Sequence, residues 1–573
     1  MNGQRALPWL LAGACVVYDP AALAAEPKRC AGLLLMLAVA LWFSLRPGSL
    51  PRFAGALGPL LLFAVWLALS ALWGASGRWL VLGNWWLLLA PAVLGTALAR
   101  EGALAIAKRT ALVVCVVVSA WLTLDWARGA HGMQLHAGLG NPNWAGLLLC
   151  VCWPLGASDP WLAKRPLGPL LLAVFVAFAL ALSESRVAWL AAALAFTVSL
   201  AVAPSSLARL ACALGLVMLC VSVGVATWRA SASAPPAPQT SAAVRTRSGP
   251  LVDHSARASL TGRLWIQRIA LRSVLDELPF GVGLGGFYST FLVEQGQALS
   301  RLTPAEASRR FSNATTAHGD WLELLVEAGP LAPLLLLLAF ARALAEHARA
   351  REFGAVGGLV AATVSALADS PFHLPSVCLC LGLLFVGEPR VGGVRAARSL
   401  FALSLILSGF LLARSLGAWL SERASTTALG EAPEARCRSL ARARRLDPDS
   451  SERALELGLA RRDLGQLVAA TRELQSAVTL GGDVATHLAL ATVYVDARRF
   501  PDALTWFERA RALNPGSVRA HAGLSVALAE LGRPSEAEAH ARIAAQLLPG
   551  DPTLRVRLDA IRELLLDREL DQP

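Results

Sequence analysis

Charged residues are scarce in this sequence. Asp, Glu, Lys and Arg make up only 16 % of its 573 residues, and lysine occurs only as Lys28, Lys108 and Lys164. A soluble chain of this length needs more charge to cover its surface, so the composition indicates a polytopic membrane protein. The net charge of +12 comes almost wholly from arginine, and no basic run alternates with surface aromatics. Nucleic acid is therefore not a predicted partner.

Metal-ligand patterns and paired cysteines are also missing. Cys150 and Cys152, like Cys378 and Cys380, are two residues apart, which places them on nearly opposite sides of a helix. No cluster of histidine, cysteine and carboxylates has the spacing of metal ligands, so we expect neither a metal nor a cofactor. The first apolar block lacks an Ala-x-Ala cleavage site with suitable flanks and is interpreted as a retained span.

Apolar blocks fill the chain up to about residue 420, whereas residues 421–573 are charged and rich in alanine and arginine. We expect an all-α fold with about 12–13 spans, each needing about 20 residues, in a transmembrane domain over 1–420. A long polar gap separates the ninth block from the tenth. The blocks lie near residues 6–18, 30–45, 56–74, 80–98, 110–127, 144–158, 167–183, 187–203, 207–227, 322–341, 354–370, 374–388 and 399–420.

Basic residues in the short loops predict the orientation. With the N-terminus inside, inner loops carry most of the arginines, and Lys28/Arg29 is the exception on the outer side. This places the loop 228–320 outside the membrane, with an Ala/Ser/Pro-rich stretch over 229–259 predicted to be disordered. A thirteenth span would place the tail outside as well, and a miscount by one would reverse it.

The tail contains a sequence repeat. The turns at Leu446, Leu480, Leu513 and Leu547 are 34, 33 and 34 residues apart, and FPDALTWFERARALNPGS over 500–517 resembles the second helix and closing turn of a tetratricopeptide repeat. Three helix pairs and a terminal helix would stack into an α-solenoid over 421–573. Such a solenoid is either a docking platform for a protein or glycan partner or a passive appendage.

Four polar segments next to the spans are candidate sites, because charge at a membrane span is costly unless it faces a cavity or a partner. The first is GLGNPNWAG, where Asn143 suits a helix N-cap and either Asn141 or Asn143 could bind a sugar or phosphate. The second is SESRVAWL, where Arg186 lies in a short outer turn. Capping and a snorkelling arginine are the plainer interpretations of these two segments.

The third segment, 259–287, predicts an amphipathic helix lying on the outer bilayer surface. Arg263 opens this helix and Arg268 follows on its basic side, while the predicted apolar face comprises Trp265, Ile269, Leu271 and Leu275.

The fourth segment, TTAHGDWLELLVEAG, places His318 before a helix whose Asp320, Glu323 and Glu327 share roughly one face. A histidine at a helix start is as often a cap or an interface residue as a functional group.

Together and in this order, these segments resemble the O-antigen ligase family, which includes O-antigen polymerases and protein O-glycosyltransferases. The resemblance covers roughly residues 30–390 and includes the large outer loop. Family members often have Asn after the histidine, where this chain has Gly319, and the repeat tail is not part of the family pattern. The motifs that carry the resemblance are Gly140-Asn141-Pro142-Asn143, Ser183-Glu184-Ser185-Arg186, Gly262-Arg263-Leu264-Trp265 and His318-Gly319-Asp320-Trp321-Leu322.

The resemblance implies transfer of a glycan from undecaprenyl diphosphate to an acceptor hydroxyl on the outer, periplasmic face of a bacterial inner membrane, as in lipopolysaccharide biosynthesis. On this interpretation Arg186 and Arg263 bind the diphosphate leaving group, and His318 is the general base. Asp320 orients that imidazole or contacts the acceptor, and Asn141, Asn143 and Arg268 contribute to substrate binding.

Several functions remain open at this stage. Ligation to lipid A–core is the preferred reaction, with O-antigen or exopolysaccharide polymerisation and protein O-glycosylation as alternatives within the family. From other classes, a transporter would show internal repeats and charges at the membrane midplane, and a non-catalytic assembly scaffold would need only the tail.

Overall fold

The structure, a computed structural model, describes residues 2–20, 22, 25–44, 57–75, 78–95, 100–130, 136–165, 167–232, 256–386 and 394–570. Throughout these ranges the regular elements are helices, with no strand. The prediction of an all-α fold is therefore confirmed.

Ten helices precede the polar gap in the part of the chain that the structure describes. They are α1 Asn2–Val16, α2 Ala25–Ser44, α3 Leu57–Ser70, α4 Arg78–Gly95, α5 Arg100–Ala127, α6 Pro142–Ala157, α7 Pro160–Ala163, α8 Gly168–Ser183, α9 Arg186–Val202 and α10 Ser206–Ala232.

The loop and the second membrane part follow. Their helices are α11 Ala256–Asp276, α12 Phe287–Leu299, α13 Pro304–Arg310, α14 Asp320–Ala328, α15 Leu331–Arg349, α16 Phe353–Ser365, α17 Pro375–Gly382 and α18 Val394–Ala428, with 3₁₀ turns at Pro371–His373 and Leu383–Phe385.

Eight helices form the tail. They are α19 Pro433–Leu446, α20 Ser451–Asp463, α21 Leu467–Thr479, α22 Val484–Asp496, α23 Phe500–Leu513, α24 Val518–Glu530, α25 Pro534–Leu547 and α26 Pro552–Leu570.

Three helical stretches in the described ranges are long and apolar enough to cross a membrane, namely Gly102–Ala127, Leu331–Arg349 and Ala402–Ala428. Shorter apolar helices of 10–17 residues accompany them, including α3, α8, α9 and α16. A helix of that length crosses only part of a hydrocarbon core about 30 Å thick. The number of 12–13 spans therefore stays a prediction.

A glycine-rich helix, α16, lies at the centre of the membrane part. A Cβ at Gly354 would overlap Ser158, and a Cβ at Gly358 would lie 3.2 Å from the carbonyl oxygen of Val151. Small residues allow two helix backbones to approach this closely. The register shows that α16 runs antiparallel to α6, so the end of α16 lies at the same end of the bundle as the start of α6.

The polar loop folds on its own small core. Ile266, Ile269, Ala270 and Val274 of α11 are buried against Phe287 and Phe291 of α12 and Val326 of α14. The predicted apolar face of α11 is therefore wrong, because Ile269 is fully buried whereas Leu271 and Leu275 are 57 % and 75 % exposed. Ile269 therefore lies on a different side of α11 from Leu271 and Leu275.

The stretch predicted to be disordered, 229–259, is helical at both ends, since α10 extends to Ala232 and α11 begins at Ala256. Residues 233–255, which make up the rest of that stretch, lie outside the described residues.

The tail is a stack of helix pairs, as the 34-residue period predicted. α19, α23 and α25 end at Leu446, Leu513 and Leu547, and Leu480 caps α21, so each predicted turn closes the second helix of a pair. The predicted domain boundary at residue 420 falls within α18, a single helix of 35 residues that continues from the membrane part to the first pair.

Candidate active site

Arg263 lies on α11, on the side that faces the turn following α16. Burial of Ile266 and Ile269 fixes the rotation of α11 and leaves the Arg263 side chain 21 % exposed. Its Nη1 donates to the carbonyl oxygen of Ala368 at 3.0 Å, and its Nη2 lies 3.4 Å from Asp369 Oδ2. One edge of the guanidinium is thus held by the protein.

His318 lies beside Arg263 on the segment that leads into α14. Gln267, one turn along α11 from Arg263, donates from Nε2 to the carbonyl oxygen of His318 at 2.9 Å. The backbone N–H of Ala317 donates to Glu323 Oε2 at 2.8 Å. His318 has φ of +48°, in the left-handed region, which costs a non-glycine residue about 1–3 kcal/mol unless its surroundings hold it. These flanking hydrogen bonds provide that hold.

The surroundings keep the His318 imidazole neutral. Burial lowers its pKa below the ordinary value of 6.5, and the positive charge of Arg263 lowers it further, while Asp369 and Glu323 oppose the shift. A neutral imidazole at pH 7 can accept a proton from a hydroxyl. The chemical state of His318 therefore suits a general base.

A buried ionic cluster adjoins this pair, since its member Glu323 accepts from the backbone N–H of Ala317. His373 Nε2 is 2.9 Å from Glu323 Oε1 and 3.6 Å from Asp320 Oδ1, and Asp320 Oδ2 accepts from the backbone N–H of Phe372 at 2.8 Å. Burial raises the pKa of Asp320 to about 8. Burial lowers the pKa of His373, but the nearby carboxylates, Glu323 first, outweigh it and raise that pKa to about 10. His373 is thus a cation at neutral pH.

The Asn-Pro-Asn turn opens α6 at the same end of the bundle. Asn141 is the N-cap, and its Oδ1 accepts from the backbone N–H of Asn143 at 2.8 Å. The expectation that Asn143 is the cap is therefore wrong, because the cap lies two residues earlier. Within the described ranges the Asn143 side chain makes no hydrogen bond, so it is the amide that a ligand could use.

Arg186 opens α9 next to that turn. A Cβ at Gly146 would lie 2.9 Å from both Ser183 Oγ and Ser185 Cβ, so the start of α9 packs on the first turns of α6. Arg186 is exposed, whereas Ser185 is buried and caps the helix.

The structure brings some of the predicted site residues into one network and leaves others outside it. Arg263 and His318 are both tied to the turn after α16. Arg263 donates to Ala368 of this turn, and Gln267 donates to the carbonyl oxygens of His318 and Leu367. Asn141, Asn143 and Arg186 lie at the same end of the bundle, without a described contact to that pair. Arg268 is exposed, five residues and therefore about 140° around α11 from Arg263.

Asp320 does not contact His318 in the way that the sequence suggested. Its hydrogen bond goes to Phe372, and its nearest charged neighbour is His373. The role of orienting the His318 imidazole is therefore not supported by its contacts. The Asp320 side chain is buried, with 2 % of the residue exposed.

Asp369 and His373 were missed from the sequence. Both occur in ADSPFH, at the junction of the apolar blocks 354–370 and 374–388, and thus at the mouth of a predicted span, as His318 does. An ionisable residue in such a position is the signal that could have identified them.

Lys28 and Arg29, which break the predicted loop-charge pattern, are buried. Lys28 Nζ donates to the carbonyl oxygen of Gly138 at 2.6 Å, just before the Asn-Pro-Asn turn. Arg29 Nε donates to Asn84 Oδ1 at 2.8 Å, and Asn84 Nδ2 donates to the carbonyl oxygen of His373 at 3.1 Å. These two cations link α2 to both site turns rather than facing solvent, which explains why they break the loop-charge pattern.

These features define a class of protein: an all-α, multi-pass membrane protein with a polar site at one end of its bundle and a helical-repeat tail. The O-antigen ligase family model matches residues 171–339, which include Arg186, Arg263, Arg268, His318 and Asp320. A tetratricopeptide-repeat model matches residues 488–552. The chain therefore carries an O-antigen ligase domain followed by tetratricopeptide repeats. This domain supports a membrane function like that of O-antigen ligases or polymerases.

Several solved structures are similar to parts of the chain. The TPR domain of Arabidopsis OM64 is 26 % identical, with 20 % of this chain and 94 % of that one covered and a TM-score of 0.19. MamA of Desulfovibrio magneticus RS-1 is 20 % identical, with coverages of 27 % and 88 % and a TM-score of 0.26. The Cut9–Hcn1 hetero-tetramer of the APC/C is 11 % identical, with coverages of 82 % and 87 % and a TM-score of 0.24.

TM-scores this low support no conclusion about this chain, so the repeat assignment rests on the family model and on the helix pairs. No curated protein matches the chain.

Proposed function

We propose that this protein is a membrane glycosyltransferase that moves a glycan from undecaprenyl diphosphate to an acceptor hydroxyl at the periplasmic face of the inner membrane. The preferred reaction is O-antigen ligation to lipid A–core. The observation that carries the proposal is the meeting of Arg263 and His318 at the turn after α16. It combines a cation for the leaving group with a neutral base for the nucleophile.

The chemistry follows from these two groups. The diphosphate leaving group gains negative charge as the glycosidic bond breaks, and the free edge of the Arg263 guanidinium donates to its oxygens. The acceptor hydroxyl attacks the sugar carbon while His318 takes its proton. Arg186 and Arg268 add positive charge for the donor headgroup, and Asn141 and Asn143 hydrogen-bond to the glycan.

The orientation is supported by the opposite end of the bundle. Lys108 pairs with Glu352 at 2.6 Å and Arg109 with Asp159 at 2.8 Å, beyond the start of α16 and the end of α6. This end carries the basic residues that the loop pattern assigns to the cytoplasm. The His318 end would then face the periplasm.

The decisive variant is His318→Asn, because asparagine tolerates the left-handed backbone conformation yet cannot act as a base. Purified protein would be assayed for transfer from an undecaprenyl-diphosphate-linked glycan. We expect a loss of about 10²–10⁴-fold in kcat with normal membrane insertion. Unchanged glycan output in cells would instead favour a transporter or a non-catalytic scaffold.

The acceptor is tested in a deletion strain by gel analysis of surface glycans. Loss of all lipid-A-attached chains supports ligation. Single-unit capping would point to polymerisation, and altered mobility of a glycoprotein would point to protein glycosylation.

A further inference from the structure

The repeat tail packs against the periplasmic loop as well as against α18. α12 contacts α23, and α13 contacts α25. Phe311, which ends α13, packs in a cluster with Val484, Ala510 and Ala520 of the tail. An aromatic side chain of the loop is thus inserted among tail helices.

Two glycines allow this contact, one from each partner. A Cβ on Gly296 of α12 would overlap the carbonyl oxygen of Ala512 and lie 3.0 Å from Leu513 Cα. A Cβ on Gly516 would overlap the backbone of Ser308 and lie 2.6 Å from the carbonyl oxygen of Pro304. The two backbones therefore fit closely enough to exclude a single methyl group on either side.

The contact continues along the chain toward His318. The buried Gln295 of α12 holds Ser312 by two hydrogen bonds of 2.8 Å. The backbone N–H of Ser312 donates to Gln295 Oε1, and Gln295 Nε2 donates to the carbonyl oxygen of Ser312. The hydroxyl of Tyr288 donates to Asn313 Oδ1 at 2.6 Å and lies 3.4 Å from Asp483, the N-cap of α22. The first residues of the segment 311–319 are thus held by α12, which itself packs on α23, and they contact the tail directly through Phe311.

The far end of that segment is fastened to the membrane part. The hydrogen bonds from Ala317 to Glu323 and from Gln267 to His318 hold it there. His318 therefore lies between two anchors, one of which rests on the repeat domain through Phe311 and α12. Since His318 has a left-handed backbone that its surroundings must maintain, both anchors bear on its position.

We propose that the repeat domain is a positioning element of the transferase site, holding the segment 311–319 in the conformation that aims His318. This inference rests on the proposed function. It makes the solenoid part of the site, and a partner bound to the solenoid would act on turnover by tightening or loosening this contact.

The test uses the full-length protein and single methyl groups. Gly296→Ala and Gly516→Ala open the interface from opposite sides, and alanine in α12 otherwise favours the helix by about 1 kcal/mol. The matched controls are Gly409→Ala in α18 and Gly550→Ala in the turn before α26, because a Cβ at either position meets nothing within 4 Å.

The first readout is hydrogen exchange of peptides covering 311–319. We expect exchange to rise on the order of tenfold in both interface variants and to stay at the wild-type rate in both controls. The second readout is turnover with an undecaprenyl-diphosphate-linked glycan. A misplaced base lowers kcat by about 10–100-fold, whereas the KM for the donor stays unchanged because Arg263 keeps its anchors.

Wild-type exchange over 311–319 in the interface variants would overturn the inference, and so would raised exchange with wild-type kcat. If the wild-type protein transfers no glycan, the proposed function fails, while the exchange result still decides whether the tail holds the segment.

Discussion

Replacing Arg263 with lysine is the sharpest test of how the leaving group is bound. Lysine keeps the positive charge but offers a single ammonium in place of a planar fork. In the structure two nitrogens of Arg263 are already engaged, by Ala368 at 3.0 Å and by Asp369 at 3.4 Å. A lysine has its three N–H donors on one nitrogen, so it cannot hold those acceptors with one edge and present a second edge to the diphosphate as a guanidinium does.

The expected loss follows from one charge-assisted hydrogen bond, worth about 1.5–3 kcal/mol. At 1.36 kcal/mol for each factor of ten, kcat/KM falls about 10- to 150-fold. The assay is transfer from an undecaprenyl-diphosphate-linked glycan by purified protein at several donor concentrations. A lower kcat would indicate a contact made in the transition state, whereas a raised KM alone would indicate uniform binding.

The matched control is Arg272→Lys on the same helix, because Arg272 is exposed and lies outside the proposed site. We expect it to retain activity within about twofold, as surface substitutions usually do. Equal activity of Arg263→Lys and wild type would refute the requirement for a guanidinium at the leaving group, and an equal loss in both variants would refute the special position of Arg263.

Three further predictions concern pH and metal. Glu323→Gln removes a carboxylate that raises the pKa of His318, so the acid limb of the kcat/KM profile should move to lower pH. The control Glu277→Gln should leave that limb in place. A shift to higher pH in Glu323→Gln contradicts the role of His318 as general base. The fold raises the pKa of His373 from 6.5 to about 10 and that of Asp320 from 3.8 to about 8. Both groups bind a proton more tightly in the folded state, so they stabilise the fold at low pH, and this stabilisation is lost as pH rises. The Tm should therefore fall from pH 6.5 to 10, less steeply in His373→Gln, and a flat profile counts against the cluster. Chelators should leave the transfer rate unchanged; strict dependence on a divalent cation would contradict the arginine–histidine scheme.

The repeats were the part of the fold most accessible from the sequence. A turn every 33 or 34 residues fixes where each pair closes, because every repeat is one local unit. The faces of α11 were not accessible in this way. Leu271 and Ile269 are equally apolar, and only the tertiary contacts with Phe287 and Phe291 decide which of them is buried.

The candidate site, like the fold, was predictable from the sequence only in part. Arg263 and His318 stand out because charge beside a span needs a reason. The direction of the Asp320 carboxylate depends on Phe372 and His373, some fifty residues later in the chain, and no local pattern encodes that pairing. The cap at Asn141 rather than Asn143 is a smaller example, since either amide fits the turn on composition alone.

The continuity of α18 couples the tail directly to the membrane part. This helix of 35 residues measures about 52 Å, of which a bilayer core takes up about 30 Å. Its last turns form the first helix pair with α19, because Ser421 Oγ donates to the carbonyl oxygen of Ala443 at 2.8 Å and Ala428 packs against Leu440. Four residues inserted into α18 before this pair would displace it by about 6 Å and turn it by about 40° relative to the bundle.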